Sequence, residues 1–184
     1  MNPRRSACVF ALLIAIAAMP ALSAGVDKGN LDDYGRGIIE DYSNMHEGKY
    51  VEWEWVAPGV RLMDYKIDVG AFDNMSKVND TGMIDTLDRG MRKAFARLAK
   101  KAGDKGTLTT ENAVYWAERA HSAKRWIPYA GAHLAEAGCG IEMIFKDANG
   151  KIVAKIRHSG REGNHPADAA WELIDEVAQF VENN

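Results

Sequence analysis

The chain has 184 residues, of which 47% are hydrophobic and 27% are charged, and its formal net charge at pH 7 is −3. That hydrophobic content excludes wholesale disorder, and the near-neutral charge argues against a dedicated nucleic-acid binder, whose surface is strongly basic. The length suits one domain with a short extension, because single domains cluster near ~100–150 residues.

The N-terminus has the pattern of a secretory signal peptide. Arg4 and Arg5 give a positive start, residues 7–18 contain no charged side chain, and small residues follow at 21–24. This pattern predicts removal of residues 1–24 and a periplasmic location. An uncleaved anchor is the alternative, although the 12-residue apolar run is shorter than the ~20 residues that a membrane-spanning helix needs.

The cysteines indicate an exported chain without an internal disulfide. Cys8 lies within the predicted signal peptide, so that Cys139 alone remains after cleavage. No cysteine follows the apolar run, where a lipid anchor would be attached, and we expect a soluble exported protein with no transmembrane span. Cys139 alternates with apolar residues, which favours a buried structural role over a nucleophilic one.

The chain that follows the signal peptide is predicted to hold a lead-in and then one domain. Residues 25–48 lack a clear period and are interpreted as an N-terminal lead-in, and residues 49–184 as a single α+β domain. Period-two alternation of apolar and polar residues predicts strands over 49–56 and 62–72. The apolar residues expected on one face of the first strand are Val51, Trp53 and Trp55.

Two helices and three further strands complete the predicted domain. Apolar residues three or four apart predict a helix that is capped near Asp80, and a second helix begins at Pro166. Alternation predicts strands over 113–120, 135–146 and 151–158. The buried stripe of the second helix is expected to comprise Ala170, Trp171, Ile174, Ala178 and Val181. The order β-β-α-β-β-β-α predicts an antiparallel or mixed sheet of about five strands with two helices packed on one face. The second face is then expected to be partly exposed or covered by the lead-in.

Three segments carry a resemblance to a known family. The sequences GIIEDYSNM at 37–45, YKIDV at 65–69 and EMIFKDANGKIVA at 142–154 are similar to its opening motif, one strand and a hairpin. The family is a domain of unknown function (three-three-one-three) found in envelope lipoproteins of Gram-negative bacteria, and the resemblance covers residues 35–182. It implies an envelope location and a non-enzymatic role. The chain lacks the lipid-anchor cysteine of that family, and Gly70 stands where the family tends to have proline.

Two cationic clusters are candidate binding sites. The first combines basic and aromatic side chains in the connection between the third and fourth strands, a combination typical of interface anchors. Its members are Arg119, His121, Arg125, Trp126 and Tyr129. The second is the basic face of the first helix, with Arg89, Arg92, Lys93 and Arg97. The alternatives are a loop folded back on the sheet and a solvated helix face whose cations suit the helix dipole.

No pattern indicates catalysis, a cofactor or a metal site. The histidines lack the close spacing that is typical of zinc ligands. His158 and His165 flank a short loop, and a hydrolase that uses them with a strand carboxylate is one alternative. Gly138 and Gly140 alternate on one strand face, which predicts that a ring or backbone packs closely there, with a bound ligand as the alternative.

These observations predict an exported envelope protein that acts as a non-catalytic binding or assembly module. Its expected partner is another envelope protein or an anionic envelope polymer, and not nucleic acid. A small-ligand carrier and a hydrolase are the alternative functions. The sequence predicts no particular oligomeric state.

Overall fold

A computed structural model describes residue 35, residues 37–120 and residues 136–184. The predicted signal peptide lies outside the described residues. In chain order, the elements are β1 (His46–Glu47), β2 (Trp53–Val56), a 3-10 turn (Leu62–Asp64), β3 (Lys66–Asn74), α1 (Thr81–Leu98), β4 (Thr107–Glu118), β5 (Gly138–Lys146), β6 (Ile152–Arg161) and α2 (Pro166–Asn183). The predicted α+β class is confirmed, with one strand more than expected.

The strands form one mixed sheet in the order β1-β2-β6-β5-β4-β3. Four of the neighbouring pairs are antiparallel, and β3 and β4 are parallel. A parallel pair needs a crossover connection, and α1 provides it. The extra strand, β1, falls in the predicted lead-in and pairs with β2 at the sheet edge.

Both helices pack on the same face of the sheet, as the sequence predicts, and the main apolar core lies between the two layers. Alternate residues of β5 point into this core, namely Cys139, Ile141, Met143 and Phe145. The Phe145 and Phe180 rings meet there with their centroids 6.4 Å apart. Burial of each such side chain contributes about 1.5–3 kcal/mol to folding, so this layer supplies the larger share of the stability.

The predicted apolar face of the first strand was wrong. Val51 belongs to the core under the helices, whereas Trp53 and Trp55 pack on the opposite face of the sheet. The reason is a bend at residues 51–52 immediately before β2, which breaks the alternation that the sequence shows. The regular strand therefore begins only at Trp53.

A bulge in β3 accompanies a further departure from the sequence pattern, the early start of β4. The register of β3 against β4 shifts between Val69 and Phe72. Gly70 donates its N–H to Thr110 Oγ1 at 3.2 Å, and Asn112 Nδ2 donates to the Gly70 carbonyl at 2.8 Å. These bonds satisfy backbone groups that the bulge frees. They come from residues 107–112, which extend β4 well before its predicted start at 113.

The predicted buried stripe of α2 was wrong at Trp171, which is 56% exposed. The residues that are buried along this helix are Pro166, Ala169, Ala170, Leu173, Ile174, Val177, Phe180 and Val181. The predicted stripe and the buried stripe overlap in the sequence of this helix. The chain buries the stripe that has an apolar residue on every turn of the helix. Trp171 lies at its margin and is left on the outer surface.

Both helices begin at side-chain caps. Asp80, predicted as a cap, accepts from the Met83 N–H at 3.0 Å. At α2, Asp168 Oδ2 accepts from the N–H groups of Asn164 and His165, each at 3.0 Å. These backbone hydrogen bonds hold the pKa of Asp168 below its usual value.

Replacing Asp168 with asparagine is expected to lower the free energy of unfolding by about 0.5–1 kcal/mol at pH 7. Because the folded state depresses the pKa of this carboxyl, its contribution is present above the unfolded pKa of about 3.9. This contribution to stability is lost as the pH falls through the pKa that Asp168 has in the folded state. Urea unfolding of the wild type and of Asp168→Asn from pH 7 to pH 3 should show that the difference between their free energies of unfolding narrows below about pH 4. A difference that stays constant with pH would contradict the assignment.

Candidate functional site

The sheet face opposite the helices is covered by residues 37–45, which we name the strap. Ile39 and Met45 of the strap are buried against Ile144 of β5. Trp53 and Trp55 of β2 pack beside them. The strap is therefore part of the folded domain, although the sequence suggested an irregular lead-in.

A buried ion pair lies under the strap. Glu142 of β5 and Arg157 of β6 are paired across the two strands, their side chains are 0% and 4% exposed, and Arg157 Nη1 donates to Glu142 Oε1. Glu142 also accepts from the backbone N–H of Ile39, at 2.9 Å, and from the Tyr42 hydroxyl. One carboxylate thus holds both its neighbouring strand and the strap.

Aromatic rings and a carbonyl surround the guanidinium of this pair. Arg157 stacks on the Tyr115 ring, 3.6 Å from its centroid, and donates to the Gly35 carbonyl at 3.2 Å. Burial raises the pKa of Tyr42 and of Tyr115, so both phenols stay neutral at physiological pH. Each charged group is engaged within the chain, and the arrangement is that of a structural ion pair.

Gly138 and Gly140 make room for two aromatic rings, which confirms the predicted close packing. A Cβ atom on Gly140 would lie 2.5 Å from Cζ of Tyr115, and one on Gly138 would lie 2.3 Å from Cη2 of Trp116. Real Cβ atoms do not approach so closely. Side chains of the chain itself therefore occupy the space that a ligand would need at these two glycines.

Most of the predicted loop cluster lies outside the described residues. The members concerned are His121, Arg125, Trp126 and Tyr129. Arg119 is exposed just after the end of β4. The strand ends that carry this connection are paired, Glu118 with Gly138, and Arg161 Nη2 donates to Glu118 at 2.8 Å. The binding role of the cluster stays a prediction.

His158 and His165 do not form one site. His158 Nδ1 accepts from the Glu52 N–H at 3.2 Å, and its Nε2 lies 2.5 Å from Glu176 Oε2. The proton therefore resides on Nε2, which donates to the carboxylate. His165 precedes α2, and Glu176 stands eleven residues further along, about 16 Å at 1.5 Å per residue. Among the described residues, no group of three or more histidine, cysteine or acidic side chains is placed to hold a metal ion.

Cys139 is fully buried, and burial raises the pKa of its thiol to about 12. At pH 8 the thiolate fraction should fall by roughly 1,000-fold relative to a free cysteine, before steric protection is counted. We therefore expect iodoacetamide to label the denatured exported chain and to leave the folded one unlabelled over the same time, as read by mass. Equal labelling of the two states would show that Cys139 is accessible.

The outer surface of the helix layer, which faces away from the sheet, carries opposite charges on its two helices. The predicted basic residues of α1 are exposed, and Arg89 pairs with Asp85 at 3.5 Å. The cations on this outer surface at helical spacing are Arg89, Lys93, Arg97 and Lys100. Adjacent residues of a helix are rotated by 100° about its axis, and this rotation turns Arg92 further from α2 than Lys93. In contrast, α2 contains five carboxylates and no basic residue.

Trp171 lies on this surface at the seam between the helices. A ring carbon of Trp171 comes within 3.3 Å of the position that a Cβ atom on Gly90 would take. Further along, Lys101 Nζ lies 3.0 Å from Glu182 Oε1, so the two helices run in the same direction. A groove of about 430 Å³ separates them there, lined by Arg97 and Leu98 of α1 and by Asp175, Ala178 and Gln179 of α2. The sequence identified the cations but assigned Trp171 to the core.

No helix within the described ranges is long and apolar enough to cross a membrane. The sheet face holds the strap and the buried ion pair, whereas the helix layer exposes Trp171 and both charged rows.

No family model and no curated protein matches the chain. A variant PelC dodecamer from Paraburkholderia phytofirmans is similar in structure, with a TM-score of 0.46, 13% identity and coverage of 71% of this chain and 96% of PelC. A second PelC dodecamer from that organism has a TM-score of 0.39 at 12% identity, and the match covers 70% of this chain and 91% of the PelC chain. A PDZ domain protein from Parabacteroides distasonis has a TM-score of 0.37 at 12% identity, and the match covers 69% of this chain and 34% of that protein. At these TM-scores the similarities assign neither a family nor a function.

Proposed function

We propose that this protein is an exported, non-catalytic binding module of the cell envelope, and that the outer surface of its helix layer contacts a protein partner. The observation that carries the proposal is Trp171, which is more than half exposed beside a row of cations. Exposed tryptophan and arginine dominate the binding energy of protein interfaces. A soluble chain that exposes such a group on a rigid helix has a ready contact site.

The charges of the helix layer favour a protein over an anionic polymer as the partner. A polymer of one charge sign would be attracted to α1 and repelled by the carboxylates of α2, which lie directly alongside. A folded protein surface can present both signs in register with both helices. The α1 cations then confer orientation and association rate, and Trp171 supplies the buried contact.

The other functions weighed from the sequence have less support. A small-ligand carrier would use the second face of the sheet together with the loop at residues 126–129, which lies outside the described residues. The strap and the rings of Tyr115 and Trp116 fill that sheet face. A hydrolase on His158 and His165 would need the two histidines in one site. Export is supported by the two arginines, the apolar run and the small residues at 21–24.

The proposal is tested by replacing Trp171 with the photo-crosslinking residue p-benzoylphenylalanine in the full chain, expressed in its host. Asn149, exposed in the β5–β6 turn, is the matched control position. We expect a discrete adduct with a protein from position 171 and none from position 149, in the periplasmic fraction. Adducts of equal yield from both positions, or none from position 171, would contradict the contact surface. Retention of the chain in the cytoplasm would contradict export.

A further inference from the structure

We infer that the protein that binds the helix layer is a second copy of this chain, related to the first by a two-fold axis that runs along the seam between α1 and α2. The inference rests on the proposed function, because it names the partner of that same surface. Its basis is the parallel direction of the helices, their opposite charges and the position of Trp171.

The symmetry follows from the arrangement of the two helices. Rotation by 180° about an axis along the seam exchanges the positions of α1 and α2 and preserves their direction. The α1 helix of one copy then lies over α2 of the partner, and the contact is isologous. A two-fold axis across the helices would instead place α1 over α1 and bring like charges together.

The charges match in register under this symmetry. Gly90 is level with the start of α2 near Trp171, and Lys101 is level with Glu182, so Lys93 is level with Asp175. The two-fold axis places Lys93 opposite Asp175 of the partner subunit. Among the described residues, the pair Lys101–Glu182 is the one ion pair that joins the two helices within the chain. Lys93 and Asp175 are exposed.

Trp171 lies close to the proposed axis, because its ring reaches across the seam to Gly90. A residue near a two-fold axis meets its own symmetry mate, so Trp171 packs against Trp171 of the partner subunit. Aromatic pairs of this kind contribute beyond their buried area. The interface would then have an aromatic contact at the axis and one Lys93–Asp175 pair on each side of it, in keeping with the apolar core and polar rim of protein interfaces.

The size of the surface predicts a weak dimer. Each helix of 18 residues is about 27 Å long, and two packed helices are about 20 Å wide. The layer therefore offers roughly 540 Å² on each copy, or about 1,100 Å² in total, which lies at the low end for specific interfaces. We expect a dissociation constant in the micromolar range that rises at least 10-fold from 50 to 500 mM salt.

Two charge-reversed variants test both the surface and its symmetry. The acidic variant is Lys93→Glu/Arg97→Glu, and the basic variant is Asp175→Lys/Gln179→Lys. Both leave the Lys101–Glu182 pair intact. In the two-fold arrangement each variant repels itself, whereas the mixture presents opposite charges on both sides of the axis. Sedimentation equilibrium should show each variant alone at least 10-fold weaker than the wild type, and an equimolar mixture should restore a heterodimer.

The control is Arg92→Glu/Lys151→Glu, which makes the same charge change as the acidic variant at exposed positions away from the seam. It should dimerise like the wild type, and Trp171→Ala should weaken the dimer at least 10-fold. Far-UV circular dichroism shows whether each variant is folded. If a variant is not folded, the salt dependence of the dissociation constant of the wild-type dimer tests the contact instead. A wild type that is monomeric at 100 μM, or a mixture that forms no heterodimer, would overturn the inference.

The two proposals fail in different ways. A monomeric wild type together with a crosslink from position 171 to another protein would reject the second copy and keep the proposed function. A dimer that none of the seam variants weakens, with no crosslink from position 171, would reject both.

Discussion

Arg157→Met is expected to lower the free energy of unfolding by about 3–5 kcal/mol, because it leaves the Glu142 carboxylate buried without its cation. Glu142 is 0% exposed, so water cannot take the place of the guanidinium. Glu142→Leu should cost a similar amount, since it strands both Arg157 and the hydrogen-bond donors of the strap. Urea unfolding followed by circular dichroism measures these losses.

The double variant Glu142→Leu/Arg157→Met should recover most of this loss. Well-packed apolar residues replace buried ion pairs at little cost. The remaining penalty comes from the Ile39 N–H and the half-buried Tyr42 hydroxyl, which lose their acceptor, and an unsatisfied buried donor costs about 1–3 kcal/mol. Hydrogen exchange adds a local readout, because strap amides 37–45 should exchange faster in Glu142→Leu than in the wild type. A loss below about 1 kcal/mol in either single variant would show that the pair does not hold the strap.

Gly140→Ala is expected to cost about 2–3 kcal/mol in the same assay, despite adding one methyl group. The new Cβ would come within 2.5 Å of Tyr115 Cζ, and that ring is stacked on Arg157 at 3.6 Å. The ring cannot retreat without separating from the buried ion pair. Adding Tyr115→Leu, which removes the clashing atoms, should make the double variant less destabilised than the sum of the single losses.

Gly160→Ala is the matched control on the neighbouring strand. Gly160 is paired with Cys139 in the sheet, and the closest atom to its added Cβ is Glu172 Oε2 at 3.0 Å. That atom ends a flexible, exposed side chain and can move, so we expect a loss below about 1 kcal/mol. Equal losses at the two glycines would show that the Tyr115 ring is not the cause.

The sequence predicted those parts of the fold in which local pattern and final environment agree. In β5, every second residue from Cys139 to Phe145 faces the core, and the period-two pattern shows this directly. The starts of the helices were predictable because the Asp80 cap and Pro166 in the first turn act within one turn of their own position. Residues 107–112 were missed because threonine and asparagine occupy buried positions there, where they bond the bulge at Gly70.

Coverage of the second sheet face by the lead-in was one of two expectations, but the contacts of the strap could not be predicted because its partners are distant in sequence. Tyr42 and Glu142 are 100 residues apart, and Glu142 looks like an ordinary polar residue on the wet face of a strand. Trp171 was misplaced because two apolar stripes overlap along α2. The buried stripe has eight residues and contacts the core on every turn of the helix. Trp171 does not belong to this stripe, and a prediction based on all eight residues would have placed it on the surface.

The function proposed for this chain is that of an exported binding module that acts without a bound cofactor. Its most direct test is the native mass of the protein recovered from the periplasmic fraction, recorded with its denatured mass. We expect the denatured mass of residues 25–184 without an adduct, and a native species composed only of protein. A metal ion or small molecule bound in stoichiometric amount would contradict this function and favour the carrier or the enzyme.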